Sequence, residues 1–346
     1  MTTFAPRALA TGIGSLPHRD VQDALRVIFR TLPAVPYWPQ LPRRDFRENM
    51  YAQFSEDLPT VSIDLPHEWI GSIVAEDVLA LAERFYDRYL VQDANLFAIG
   101  EEYAAGLYAL RGQSAALRQA KWIKGQVTGP ISFGLKVTDQ NLRPILYDDT
   151  LRDVLVKYIA RKAQWHENFI STLGTPLTFV DEPSLALIGA SVVALNREEV
   201  IRDLEEIYAS IKGLKGTHCC GNTDWSLLLG TSVDVISFDA YNYAENLALF
   251  ADNCKSFLDR GGAIAWGIVP TVEEEIARET SEHLVQRLDE AIGLLVKKGL
   301  DRDLLYERSL ITPSCGLGTI SVGAADHALE LTRDVSERVR QEHRFA

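Results

Sequence analysis

Cysteine, methionine and histidine are scarce in this chain, at 4, 2 and 7 of its 346 residues. Four cysteines, two of them adjacent, make a poor disulfide framework for so long a chain. Metal binding, or burial in a reducing cytoplasm, fits them better. Positive charge is short as well: 35 Lys and Arg stand against 48 Asp and Glu, a formal net charge of −13. The basic residues are scattered, which argues against nucleic acid as a partner, because a phosphate backbone wants a basic stripe. Long apolar runs are missing. The longest uncharged one, residues 185–195, is too short to span a bilayer, and residues 1–7 hold no apolar signal core. No repeat, low-complexity tract or linker interrupts the sequence. What remains, 47% hydrophobic and 24% charged, reads as a soluble cytoplasmic protein forming one domain over residues 1–346.

Short β-prone runs alternate with longer amphipathic stretches, the pattern of repeated βα units around a parallel sheet. Strands are predicted over residues 9–15, 35–38, 120–127, 177–180, 216–220, 233–238, 264–268 and 309–312. Eight of them predict an α/β fold, a single (β/α)8 TIM barrel. Apolar periodicity predicts helices over residues 21–32, 151–173, 197–214, 247–259, 272–298 and 324–340. The irregular piece is the long connection between the second and third strands. Residues 58–66 alternate as in a hairpin, and residues 73–90 and 101–111 look helical. A long insertion at that end of a barrel predicts a lid-like, substrate-binding excursion.

Reactive residues fall where these strands end. Gly14-Ser15 follows the first strand, Thr128-Gly129-Pro130 the third and Asp181-Glu182-Pro183 the fourth. His218-Cys219-Cys220 ends the fifth, Asp239 the sixth, and Ser314-Cys315-Gly316 closes the eighth. Polar residues at the C-terminal ends of barrel strands read as an active site. Alternation along a strand sends His218 and Cys220 one way and Cys219 the other. Cys315 supplies a third arm. One histidine and two thiolates are a normal zinc set, and three protein ligands leave a position for substrate. Thiolate ligands also donate charge, so a sulfur bound beside them keeps its nucleophilicity. The same residues read alternatively as a buried thiol pair beside a hydrogen-bonded histidine. Asp239 is a further ligand or a helix N-cap. Asp181 and Glu182 suit an ammonium group, a supporting hydrogen bond or a cap, and Ser15 suits a carboxylate or a turn. Cys254 reads as a core residue. His18 and His67 lie near the predicted mouth, and the remaining histidines outside the cluster carry no assigned role.

The strings Ile13-Gly14-Ser15-Leu16-Pro17, Val127-Thr128-Gly129-Pro130, Val180-Asp181-Glu182-Pro183, His218-Cys219-Cys220, Asp234-Val235-Ile236-Ser237-Phe238-Asp239 and Pro313-Ser314-Cys315-Gly316-Leu317 run in order over nearly the whole chain. In them the chain resembles the catalytic C-terminal half of cobalamin-independent methionine synthase. That family belongs to the superfamily of uroporphyrinogen decarboxylase and the corrinoid-dependent coenzyme M methyltransferases. The resemblance implies Zn2+ on His218, Cys220 and Cys315, with Asp239 where those synthases place a glutamate as fourth ligand. It implies homocysteine as substrate, its carboxylate at Ile13, Gly14 and Ser15 and its ammonium at Asp181.

The departures narrow the donor. The folate-using members carry a tryptophan after Thr-Gly-Pro, where this chain runs Ile131-Ser132-Phe133-Gly134-Leu135-Lys136. Their acidic residue beyond Asp-Glu-Pro falls at Leu187, and their proton-donating histidine is absent from Gly267-Ile268-Val269-Pro270-Thr271. This pattern resembles the short core-type methionine synthases, which take methyl from a methylated corrinoid protein. The expectation is a zinc methyltransferase acting on homocysteine with such a donor. Three alternatives stay open: transfer to another thiol such as coenzyme M, a uroporphyrinogen decarboxylase-like lyase, and a purely structural zinc.

Overall fold

The computed structural model describes residues 4–72, 78–188 and 195–345. Its strands, in chain order, are β1 (Leu9–Ala10), β2 (Val61–Asp64), β3 (Trp69–Ser72), β4 (Ile123–Thr128), β5 (Pro176–Asp181), β6 (Leu214–Cys219), β7 (Val235–Phe238), β8 (Ala263–Val269) and β9 (Ser309–Pro313). Seven of them form one curled parallel sheet in the order β1-β9-β8-β7-β6-β5-β4. Strands β4, β7, β8 and β9 are buried along their whole length, as expected of a parallel sheet covered on both faces. The two faces sort by alternation. Leu177 and Phe179, Val235, Ala263 and Ala265 pack into one small cluster inside the curl. Their neighbours Val180, Ile236, Ile264 and Trp266 join the larger core under the helices.

Between the sheet edges runs residues 34–40, the position of the predicted second strand. Ala34 and Pro36 accept from the backbone N–H groups of Lys121 and Lys124 on one side, each at 2.8 Å. On the other side Gln40 exchanges backbone bonds with Gly14 and Leu16 at 3.0 and 2.9 Å. The segment bonds to both edges but forms only isolated bridges, because Pro36 and Pro39 bring no N–H to a ladder. The sheet is thus barrel-like, with seven regular strands where eight were predicted.

The helices Val21–Thr31, Asp149–Ser171 and Val322–Glu342 lie within two residues of their predicted spans. The predicted helix over residues 197–214 ends at Ser210, because β6 claims Leu214. The stretch 272–298 divides into Glu273–Ile276 and Ser281–Val296, the second capped by Thr280 on the His283 N–H. Cys254 lies fully buried in the helix Ala251–Asp259, separate from Ala240–Ala248. In the insertion, β2 pairs antiparallel with β3. Its hairpin therefore reaches beyond the predicted residues 58–66, and the following helix is described from Val78 to Leu90. Residues 73–77, part of the uncharged run 185–195, and residues 1–3 lie outside the described residues. No helix among the described residues is long and apolar enough to cross a membrane.

Trp38 ties the irregular segment down. Its Nε1 donates to His166 Nε2 at 2.9 Å, and its carbonyl accepts from Gln126 Nε2 at 3.1 Å. Burial holds the His166 ring down at about 3, so it stays neutral and accepts. Gly125 leaves room for this ring, since a Cβ there would stand 2.0 Å from His166 Cε1. Trp38→Phe strands the buried acceptor and should cost roughly 1–3 kcal/mol. Urea unfolding should show a lower midpoint at unchanged slope.

Candidate metal centre

The inner face of the sheet changes chemistry at its C-terminal edge. Leu177 and Phe179 are followed by Asp181, and Val235 by Ser237. Register sets Asp181 beside His218, and His218 beside Ser237. Cys220 continues the inward alternation one step past β6, and Cys315 follows β9. Cys219 turns the other way into the main core, fully buried, with its Sγ 3.6 Å from the Gly221 carbonyl. The predicted division of the pair is what the backbone produces.

His218, Cys220 and Cys315 bring one ligand atom each within 4.8 Å of one another. Ligands held 2.0–2.3 Å from a tetrahedral zinc stand roughly 3.3–3.8 Å apart, so small side-chain adjustments suffice. His218 Nδ1 shares a 2.9 Å hydrogen bond with Ser237 Oγ. Its Nε2 is buried without a partner. A ring that gives its Nδ1 proton to Ser237 presents an Nε2 lone pair, the usual arrangement of a ligating histidine. The thiols are paired. A hydrogen bond from Cys220 holds the Cys315 thiol down, and as donor Cys220 is pushed up. Two thiol sulfurs within 4.8 Å of a histidine whose Nε2 has no hydrogen-bond partner are a donor set that fits zinc.

Asp239 is placed differently from the predicted fourth ligand. It is not among the three residues whose ligand atoms meet. Its Oδ1 accepts from the Asn242 N–H at 2.9 Å, capping the helix Ala240–Ala248, and its Oδ2 accepts from Asn242 Nδ2 at 2.8 Å. The side chain is one methylene short of a glutamate, and the helix start captures it.

The adjacent carboxylates also part. Glu182 faces outward and accepts from the Ile131 N–H, the Ser132 N–H and the Ser132 hydroxyl at 2.6–2.9 Å. It caps the helix Pro130–Lys136, although burial pushes it up to about 7. Asp181 faces the curl, its Oδ1 buried and unpartnered. Burial raises its carboxyl, and the Lys124 ammonium opposes that rise.

Asp181, His218, Cys220 and Cys315 open on one cavity of about 560 Å³, with Ile13 and Ser15 on the same wall. The carbonyls of Ile13, Gly14 and Ser15 are all taken, by Lys124 Nζ, the Gln40 N–H and the Leu317 N–H. Their own N–H groups make no hydrogen bond among the described residues. The Ser15 hydroxyl accepts from the Gly318 N–H at 3.2 Å, which leaves its own O–H free to donate. This turn therefore offers an anion backbone donors and that hydroxyl.

Several wall residues were not found in the sequence. Gln40, Glu48 and Met50 line the cavity from the first part of the insertion, with Thr128 Oγ1 holding the Met50 carbonyl at 2.6 Å. Lys124 was legible in principle, as a lone cation on the inward side of an apolar strand. It is buried, lies 4.6 Å from the Phe179 ring centroid, and is lowered to about 8 by that burial. His18 is buried against Asp326 at 3.3 Å and His67 bonds Asp64 at 2.8 Å. Neither lines the cavity.

The sequence matches no established protein family and no curated protein. Among solved structures the chain is similar to a B12-independent methionine synthase from Shewanella sp. W3-18-1, in complex with selenomethionine. That likeness has a TM-score of 0.62 at 16% identity and covers 96% of this chain and 98% of the other. A putative vitamin-B12-independent methionine synthase from Listeria monocytogenes aligns at 14% identity with a TM-score of 0.42, over 64% of this chain and 63% of its own. The Shewanella likeness is one of fold.

Substitution separates the two neighbouring thiols. Cys220→Ser and Cys315→Ser should each strip bound zinc, whereas Cys219→Ser should retain it, measured as metal per chain after gel filtration. Retention by Cys220→Ser together with loss by Cys219→Ser would overturn the assignment.

Proposed function

We propose that this chain is a zinc-dependent methyltransferase that moves a methyl group to the thiol of homocysteine, with a methylated corrinoid protein as donor. The observation that carries this reading is a pair of buried orphans. His218 Nε2 and Asp181 Oδ1 both lack a partner, and both residues line the cavity that holds Cys220 and Cys315. Buried polar atoms are rarely left unsatisfied without a functional reason. A short amino acid bearing a thiol answers each vacancy. Its ammonium suits Asp181, its carboxylate suits the N–H groups of Ile13 to Ser15, and its sulfur suits the cysteine-lined end. The Shewanella protein of the same fold was solved with selenomethionine, the selenium counterpart of the amino acid such a transfer would form. The reading also takes the sheet with residues 34–40 as a closed (β/α)8 barrel, and the insertion as its lid.

Bound by His218, Cys220 and Cys315, zinc would keep the acceptor sulfur ionised at neutral pH, where a free thiol of pKa about 8.5 is only a few per cent thiolate. The chain does the rest by placement. Ser237 orients the His218 ring. Asp181 and the Ile13–Ser15 turn fix the substrate backbone, so that its sulfur points away from them. Lys124 anchors that turn through the Ile13 carbonyl and offsets part of the charge on Asp181.

Residues at three positions support the reading of the donor. The segment after Thr128 is the helix Pro130–Lys136 with Phe133 buried, Leu187 is 43% exposed, and residues 267–271 carry no acid or imidazole. Methyl on a folate nitrogen leaves only if that nitrogen is protonated, which calls for a positioned general acid. Methyl on cobalt(III) needs none. The sulfur takes the methyl carbon, the cobalt–carbon bond breaks, and cobalt keeps the electron pair as cobalt(I).

Purified protein should form methionine from homocysteine and methylcobalamin, lose that activity on chelation, and form none above background from methyltetrahydrofolate. Robust turnover with methyltetrahydrofolate in corrinoid-free protein would refute the donor. Asp181→Asn should raise the KM for homocysteine roughly 10- to 100-fold, the effect of neutralising one partner of a charge-assisted hydrogen bond, with zinc content unchanged.

A further inference from the structure

Beside the metal cavity lies a second hollow of about 580 Å³, and its lining runs against the charge of the chain. Arg19, Arg43, Arg44 and Arg47 face Asp45 and Glu68 there. Four guanidinium groups gather there, in a protein with a formal net charge of −13. Pro42 and Arg43 border both hollows, so the two are adjacent. The arginine segment is fastened to the metal cavity. Arg43 donates to the Thr319 carbonyl at 2.6 Å, and Arg44 donates to Glu48 Oε1 at 2.6 Å. Glu48 is itself buried and takes the Leu41 N–H at 3.1 Å. Thr319 and Glu48 are both walls of the metal cavity. Arg47 is braced by Asp45 at 2.9 Å. Arg19 has no hydrogen-bond or ionic partner among the described residues.

Each guanidinium offers five N–H donors in a planar fork. Arg43 and Arg44 each make one of the side-chain bonds above, so most of their donors remain available. Arg44 and Arg47 are ion-paired, with Glu48 and with Asp45 and Glu102, whereas Arg19 and Arg43 have no carboxylate partner among the described residues. Those two guanidinium groups stand in a concavity beside the metal cavity, where their charge would draw in and hold an anion.

Resting on the function proposed above, we infer that this hollow is a vestibule for the methyl donor, in which Arg19, Arg43, Arg44 and Arg47 hold an anionic tail of the donor, phosphodiester or carboxylate, while its methyl group enters the metal cavity. Charge-assisted, forked hydrogen bonds suit either anion. The vestibule fixes the donor without touching the reacting atoms, so these arginines are positioning residues.

The first arm of the test needs no turnover. Pyrophosphate titrated into zinc-loaded protein, followed by phosphorus NMR, should bind the wild type. Binding should weaken about tenfold in Arg19→Ala, the loss of one charge-assisted bond, and recover partly in Arg19→Lys. Zinc content, melting temperature and homocysteine affinity should not change. Absence of pyrophosphate binding in the wild type, or undiminished binding in both Arg19→Ala and Arg47→Ala, overturns the vestibule. The second arm identifies the anion. With methylcobalamin, Arg19→Ala should raise the donor KM about tenfold and leave kcat within about twofold. With methylcobinamide, which lacks the nucleotide phosphodiester, the same substitution should have no effect. An equal penalty on both corrinoids overturns phosphodiester recognition. A penalty confined to polyglutamyl methyltetrahydrofolate would uphold the vestibule as a carboxylate site while refuting the corrinoid donor. If no donor is turned over, the proposed function fails and the pyrophosphate arm alone decides the anion site.

Discussion

His218 is held between Asp181 of one strand and Ser237 of the next, and the remainder of the site follows from that row. Because side chains alternate with a period of two, a one-residue slip of β6 would bring Cys219 into the cavity and bury His218 among the helices. The slip is opposed along the whole strand. Gly216 must meet the Phe179 ring, which a Cβ would approach to 2.6 Å, and the Thr217 hydroxyl is taken by Tyr208. Cys219 packs in the outer core. Packing at Gly216, Thr217 and Cys219 thus fixes which of two adjacent cysteines faces the cavity.

Asp181 Oδ1 and His218 Nε2 have no protein partner among the described residues, and both residues line the cavity. Lys124 stands near Asp181, and Ser237 takes the other nitrogen of His218. Glu182, one residue from Asp181, is by contrast fully satisfied by the helix it caps. One carboxylate serves architecture while its neighbour stays unsatisfied, which is the local inconsistency expected at a functional position.

Sequence pattern was a good guide where the chain is regular. The period of two located seven strands and the inward column of His218 and Cys220, and strand ends located Cys315 and Asp181. It failed where the backbone leaves that period. Residues 35–38 look like a strand by composition, but the flanking prolines leave them without a ladder. For Asp239 the sequence left a ligand and a helix cap both open, and the side chain caps Ala240–Ala248 through Asn242. The wall formed by Gln40, Glu48 and Met50 had no periodic signal at all, because its positions are set by long-range bonds such as that from Thr128 to the Met50 carbonyl. Ser237 was visible as a strand-end residue, but its bond to His218 depends on inter-strand register, which a single strand does not encode.

The irregular segment accounts for the division of labour in the molecule. Residues 34–40 bond to both edges of the sheet, but their prolines keep them from becoming a strand that ends in a short loop. At Gln40 the chain therefore departs along the rim, and residues 42–50 become the wall shared by the two hollows. Asp181 and His218 sit on strands, and Cys220 and Cys315 directly follow strand ends, so the sheet sets their placement. The residues that would meet a second, larger substrate sit on irregular backbone, whose sequence can vary without disturbing the strand register. On the function proposed above, such an arrangement lets the acceptor chemistry stay fixed while the donor changes, since the parts that would face each substrate belong to segments with different structural constraints.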